Sequence, residues 1–157
     1  MIGGRIEVVI RPAERSDIGA IIALFAEDAL GGHGDTTDEH ARPRYEAAFA
    51  RISASPNDML YVAERKGEVV ATFQTTLVTT LRGQGSSSLT ISAVQTRADL
   101  RGRQIGEQMM RFAIEEARAK GARTVQLMSN SRRTEAHRFY ERLGFSRSHA
   151  GFKIKLE

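Results

Sequence analysis

The residues of this chain with the plainest chemical meaning are Leu100-Arg101-Gly102-Arg103-Gln104-Ile105-Gly106, a basic turn punctuated by glycines. Gly102 and Gly106 let backbone N–H groups approach a ligand without a Cβ in the way. A helix opening near Gln104 would aim its orphan amides and the positive end of its dipole at the same point. Arg101 and Arg103 add full charges, so the turn has the makings of a pyrophosphate cradle. The same residues also suit a tight connection with a solvated face, and the flanks tilt the balance. Upstream, residues 89–96 alternate as a strand that puts Leu89, Ile91 and Ala93 on one face. Downstream, Ile105, Met109, Phe112 and Ala113 form an apolar stripe on a helix that ends before Gly121.

A second chemical cluster, Ala136-His137-Arg138-Phe139-Tyr140-Glu141-Arg142-Leu143-Gly144-Phe145, begins about thirty residues after the turn, beyond a strand over residues 124–128. Tyr140 supplies a phenol, although its ring also suits a core position with the hydroxyl at the surface. His137, one helical turn earlier, reads as a capping or packing residue. RGRQIG followed at this distance by AHRFYERLGF resembles the GNAT superfamily of acyl-CoA-dependent N-acetyltransferases, over residues 90–152.

That resemblance implies a mixed α/β fold: a central, mostly antiparallel, twisted sheet of six to seven strands, flanked by about four helices, with the fourth and fifth strands splayed. It implies that Arg101, Gly102, Arg103, Gln104, Ile105 and Gly106 hold the pyrophosphate of acetyl-CoA. Ala93, Val94 and Gln95 would line its pantetheine arm, with a backbone N–H at Val94 or Gln95 polarising the thioester. Tyr140 would be the general acid for the departing thiolate, with Ala136 and Phe139 packed near the thioester and Arg133 within reach of CoA phosphates or an anionic substrate.

Three residues depart from the family pattern. Gln104 stands where a glycine is usual, and can still present its amide if φ stays negative. Ser92 occupies the position where many members carry a glutamate base, and a hydroxyl cannot take a proton from an ammonium at neutral pH. Arg133 replaces a common asparagine. RRTEAHRFYERLGF, together with Ser148 and His149, also resembles the aminoalkylphosphonate acetyltransferase branch, which implies a small primary amine bearing an anionic group as acceptor. With Ser92 unable to act, Glu27, Asp28, His33, Asp35, Asp38, Glu39 and His40 are the candidates for proton removal, and the sequence does not choose among them. The departures at Gln104 and Ser92 keep open a second reading, a non-catalytic acyl-CoA-binding sensor or regulatory module.

Composition sets the frame around these motifs. The chain has 157 residues, a net charge of +4 and no cysteine, which excludes disulfides, thiolate metal sites and a cysteine-bound acyl intermediate. No metal is expected, since residues 31–40 carry ligand types without the spacing to fix an ion and read as a polar mobile loop. No apolar run approaches the roughly twenty residues that span a bilayer, and residues 1–30 hold no signal-like segment, so a cytoplasmic location is expected. The basic half over residues 97–147 suits a cofactor with several phosphates. Weak nucleic-acid contact is the lesser reading, because zinc patterns, aromatic RNP-like strands and basic arms are missing. Homodimers are common in the family that the chain resembles.

The elements that must position the site read as one unit over residues 1–157. A strand is expected over residues 5–10 and a helix from the Ser16-Asp17 cap to Gly31-Gly32. A weaker helix should span residues 44–53, and strands over 60–64 and 69–74 should flank the turn Arg65-Lys66-Gly67-Glu68. The second of these strands should extend to residue 81, a flexible turn should cover residues 82–88, and a last alternating strand is expected over residues 151–156.

Overall fold

A computed structural model describes residues 3–28 and 33–156. Its sheet has five strands in the order β1-β2-β3-β4-β5, formed by Val9–Pro12, Asp58–Arg65, Glu68–Thr79, Ser87–Thr96 and Thr124–Leu127. The first three junctions are antiparallel and β4 pairs with β5 in parallel. Around the sheet stand α1 (Ile18–Ala26), α2 (Arg42–Ala54), a single turn α3 (Arg82–Gly85), α4 (Ile105–Ala119) and α5 (Thr134–Arg142). The architecture is the expected mixed α/β one, with five strands among the described residues rather than six or seven.

The two faces of the sheet follow from strand alternation. Tyr61, Ala63, Ala71, Phe73, Leu89 and Ile91 join Ile105, Met109, Met110, Ala113 and Ala117 in one buried cluster, which seats α4 on that face. Val62 and Thr72, also buried, point the other way, where α1 packs against β3 through its buried Ile18, Ile21, Ile22 and Leu24 face. The β2–β3 hairpin turns through Lys66 (φ 51°) and Gly67 (φ 80°), two positive-φ residues whose twist matches that of the strands.

Within the α4 face lies a buried carboxylate. Oε2 of Glu116 accepts hydrogen bonds from the Tyr61 hydroxyl (2.9 Å), the Thr75 hydroxyl (3.2 Å) and Lys120 Nζ (2.8 Å), while Oε1 is buried with no partner among the described residues. Burial first, and the neighbouring carboxylate second, push the Tyr61 phenol well above the ordinary tyrosine range. Glu116→Ala strips three donors of one acceptor, and is expected to lower stability by about 3 kcal/mol in urea unfolding. A loss below about 1 kcal/mol would show that water replaces the carboxylate.

Several sequence expectations are corrected by long-range bonds. Residues 5–8 are not part of the first strand: the Ile6 amide donates to the Arg103 carbonyl (3.0 Å), Gln108 Nε2 donates to the Ile6 carbonyl (2.6 Å) and the Val8 amide donates to Gln108 Oε1 (3.3 Å). The start of α4 thus claims this segment, and β1 begins only at Val9. α1 ends at Ala26; Gly31 and Gly32, read as its stop, lie outside the described residues. The expected flexible turn is a tight one, in which Gly83, Gln84 and Gly85 all take positive φ. Residues 151–156 form no strand, and Phe152, Ile154 and Leu156 are exposed.

Candidate functional site

The sheet opens between β4 and β5. Their ladder runs from Ser88 and Thr124 to Ile91 and Leu127 and stops, while β4 continues to Thr96. β4 also bulges there: Phe73 alone on β3 faces both Ala93 and Val94, between the pairs Thr72/Gln95 and Gln74/Ser92. Ala93 takes φ 53° and is exposed, so it does not continue the buried row of Leu89 and Ile91 as strict alternation predicts. The extra residue re-aims the backbone at the mouth of the opening. Beyond it Val94 is half-buried against the core, Gln95 is buried and the Ser92 side chain is exposed.

The glycine turn follows at the end of β4, after a short 3-10 turn over Ala98–Leu100 that buries Leu100. Arg101 is exposed and extended, Gly102 has φ 75° and Gln104, the residue before α4, has φ 66°. The expectation that Gln104 keeps a negative φ is therefore wrong. Two left-handed residues two apart coil the turn tightly enough to enter the helix directly. The first hydrogen bond of α4 runs from the Gln108 amide to the Gln104 carbonyl (3.3 Å), so the amides of Ile105, Gly106 and Glu107 have no intrahelical acceptor. The side chains of the turn lean toward the N-terminal segment: Arg103 Nε donates to the Gly4 carbonyl (2.7 Å), and Arg5 Nη1 donates to Gln104 Oε1 (3.4 Å). Consecutive backbone donors beside the exposed Arg101 suit a multiply charged phosphate group.

α5 closes the other side. A Cβ on Gly106 would stand 3.2 Å from the Phe139 ring, so this glycine lets α5 approach the first turn of α4, a packing role that its position in the turn did not reveal. Phe139 and Tyr140 pack against the core, and the Tyr140 ring lies 5.2 Å from that of Phe139 and 5.9 Å from that of Phe145. Burial raises the Tyr140 phenol above its ordinary pKa, and the nearby Arg133 charge partly offsets this. Its hydroxyl has no hydrogen-bond partner among the described residues. Ala136 is half-buried one turn earlier, and His137 Nε2 lies 2.9 Å from the Asn130 carbonyl, fixing the loop before α5.

Two acidic residues at the end of α1 reach this opening. Glu27 Oε1 accepts the Ala98 amide (2.8 Å), just past β4, and Asp28 Oδ2 accepts Arg133 Nη2 (2.9 Å), just before α5. These bonds join residues 71 and 105 positions apart, and no local pattern announces them. The other candidate bases lie elsewhere: Asp35 accepts the Tyr45 hydroxyl (2.7 Å) and Asp38 accepts the His40 amide (3.0 Å), which ties down much of what read as a mobile loop. Arg133, read as an unfavourably placed charge at a helix start, is held by Asp28.

Comparison with known proteins agrees with this geometry. The profile of the acetyltransferase (GNAT) family matches residues 19–145. An aminoalkylphosphonate N-acetyltransferase from Salmonella typhimurium is 34% identical over 147 residues, covering 94% of this chain and 90% of the relative. The crystal structure of a transcriptional regulator from Bacillus halodurans superposes with a TM-score of 0.91 at 36% identity, over 96% of this chain and all of that one. A glucosamine-6-phosphate N-acetyltransferase structure from Arabidopsis thaliana superposes with a TM-score of 0.79 at 21% identity, over 97% of this chain and all of that one, a likeness of fold.

Proposed function

This chain belongs to the acetyltransferase (GNAT) family, and from that premise we propose that it moves an acetyl group from acetyl-CoA to a primary amine of a small molecule by direct transfer. The observation that carries the reading is the end of the β4–β5 ladder at Ile91 and Leu127, with the bulge at Ala93 on one lip and both the α4 amides and Tyr140 at hand. In this proposal the turn from Arg101 to Gly106 takes the pyrophosphate of acetyl-CoA, and the backbone of Ala93, Val94 and Gln95 takes the pantetheine. The amine nitrogen attacks the thioester carbonyl carbon, the C–N bond forms, the C–S bond breaks and Tyr140 gives its proton to the sulfur. The ammonium proton leaves through water, with Glu27 and Asp28 the acidic groups placed nearest the opening.

We read residues 1–157 as one such unit, acting in the cytoplasm and as a homodimer, with no metal and no nucleic acid in its work. Among the described residues no helix is long and apolar enough to cross a membrane. The 34% identity to the phosphonate enzyme favours an amine bearing an anionic group as acceptor. Thiol release on mixing with acetyl-CoA and a panel of amines, aminoalkylphosphonates included, tests the reading. CoA binding without turnover across the panel would instead establish the acyl-CoA sensor, which the exposed Ser92 and the name of the Bacillus halodurans neighbour favour.

A further inference from the structure

β5 is the last strand of the sheet, and its outer edge carries no strand among the described residues. Val125 and Leu127 of β5 pack into the core, while Met128 at its end is 78% exposed. Such an edge presents unpaired amides and carbonyls to any strand that can reach it. The chain supplies one. Residues 152–156 alternate Phe, Lys, Ile, Lys, Leu, so in an extended chain three large apolar side chains share one face and two lysines the other. Phe152, Ile154 and Leu156 are 96, 83 and 85% exposed, far beyond what an isolated surface residue needs.

The tail does not use the edge of its own sheet. It meets β5 only at the end, where Gly151 lies so near Met128 that a Cβ would stand 3.4 Å from its sulfur. Residues 152–156 then leave the edge instead of running back along it. We propose that they complete the sheet of a second copy: each tail adds a strand outside the β5 of the other, and its apolar face extends the row begun by Val125 and Leu127. The exchange is self-complementary, because every copy carries both the open edge and the strand that fills it. Two exchanged tails, with six large apolar side chains between them, remove on the order of 1,000 Å² from water, the size at which a specific interface becomes stable.

This assignment gives the homodimer of the preceding reading its interface. Its test reads mass and connectivity rather than activity, so it stands or falls separately from acetyl transfer. The unaltered chain should have the mass of a dimer by light scattering, and the double variant Phe152→Asp, Ile154→Asp should have half that mass with an unchanged circular dichroism spectrum. A chain ending at Ala150 should behave in the same way. Since the protein has no cysteine, copies carrying only Gln126→Cys can be refolded together with copies carrying only Lys155→Cys and oxidised. Disulfide-linked pairs joining one copy of each kind are expected. A monomeric unaltered chain, a dimer that survives loss of the tail, or a double cysteine variant that closes only within one copy would each overturn the proposal.

Discussion

Tyr140→Phe is expected to lower turnover on the order of 10²-fold while leaving acetyl-CoA affinity nearly unchanged. The substitution removes one oxygen from a ring whose packing against Phe139 and Phe145 involves carbon alone. It breaks no internal bond, because the hydroxyl has no partner among the described residues, so stability should move by less than about 0.5 kcal/mol. Burial holds the phenol protonated at neutral pH, which is the state an acid needs. If this proton reaches the thiolate, kcat falls and the KM for acetyl-CoA does not, since the interaction exists only as the C–S bond breaks. Because the Tyr140 pKa is raised, any alkaline limb that it causes in the pH profile lies above the ordinary tyrosine range. Arg133→Ala, by removing the charge that offsets the rise, should move that limb further up. An unchanged kcat for Tyr140→Phe, under conditions where chemistry limits the rate, would remove this residue as the acid.

Most of what positions Tyr140 was legible because it is local. The helical spacing of residues 105–117, the alternation of residues 89–92 and the Lys66-Gly67 turn each follow from a few neighbours, and the structure keeps them. The resemblance over the second half of the chain supplied the fold class. What was not legible depends on partners distant in sequence. Residues 5–8 alternate like a strand, yet the α4 side chain Gln108 and the Arg103 carbonyl take their backbone bonds. Ala93 fits the strand period and still turns outward, since a bulge depends on the register of β3 against β4 rather than on alanine. Gly106 looked like an opening for a ligand, and its missing Cβ makes room for Phe139, thirty-three positions later in the chain.

The tail shows the same limit from the other side. Residues 151–156 carry a sound strand pattern, but a strand exists only when a neighbour satisfies its backbone. Within one copy that neighbour is missing, so the pattern predicts the right conformation for an assembly and the wrong one for a single chain.

Gly102→Asp is expected to weaken CoA binding on the order of 10²-fold. The backbone here is left-handed, at φ 75°, a region that Asp and Asn enter more readily than other non-glycine residues, at a cost of about 1 kcal/mol. The larger effect is charge. In the free protein a carboxylate at this point suits the α4 amides and the positive end of the helix, so it occupies the place that the proposed pyrophosphate needs. Once CoA is bound, the two negative groups face each other about 5 Å apart, a repulsion of about 3 kcal/mol per pair of charges at an effective dielectric near 20. Gly102→Asn separates the two contributions, because it keeps the size and the tolerance of positive φ without the charge. It should lose less than about tenfold, while the Asp variant should recover part of its loss as salt screens the repulsion. Titration calorimetry with CoA at two ionic strengths reads both. Equal losses for Asp and Asn would leave shape as the only cause, and unaltered affinity in both would mean that the pyrophosphate binds away from this turn.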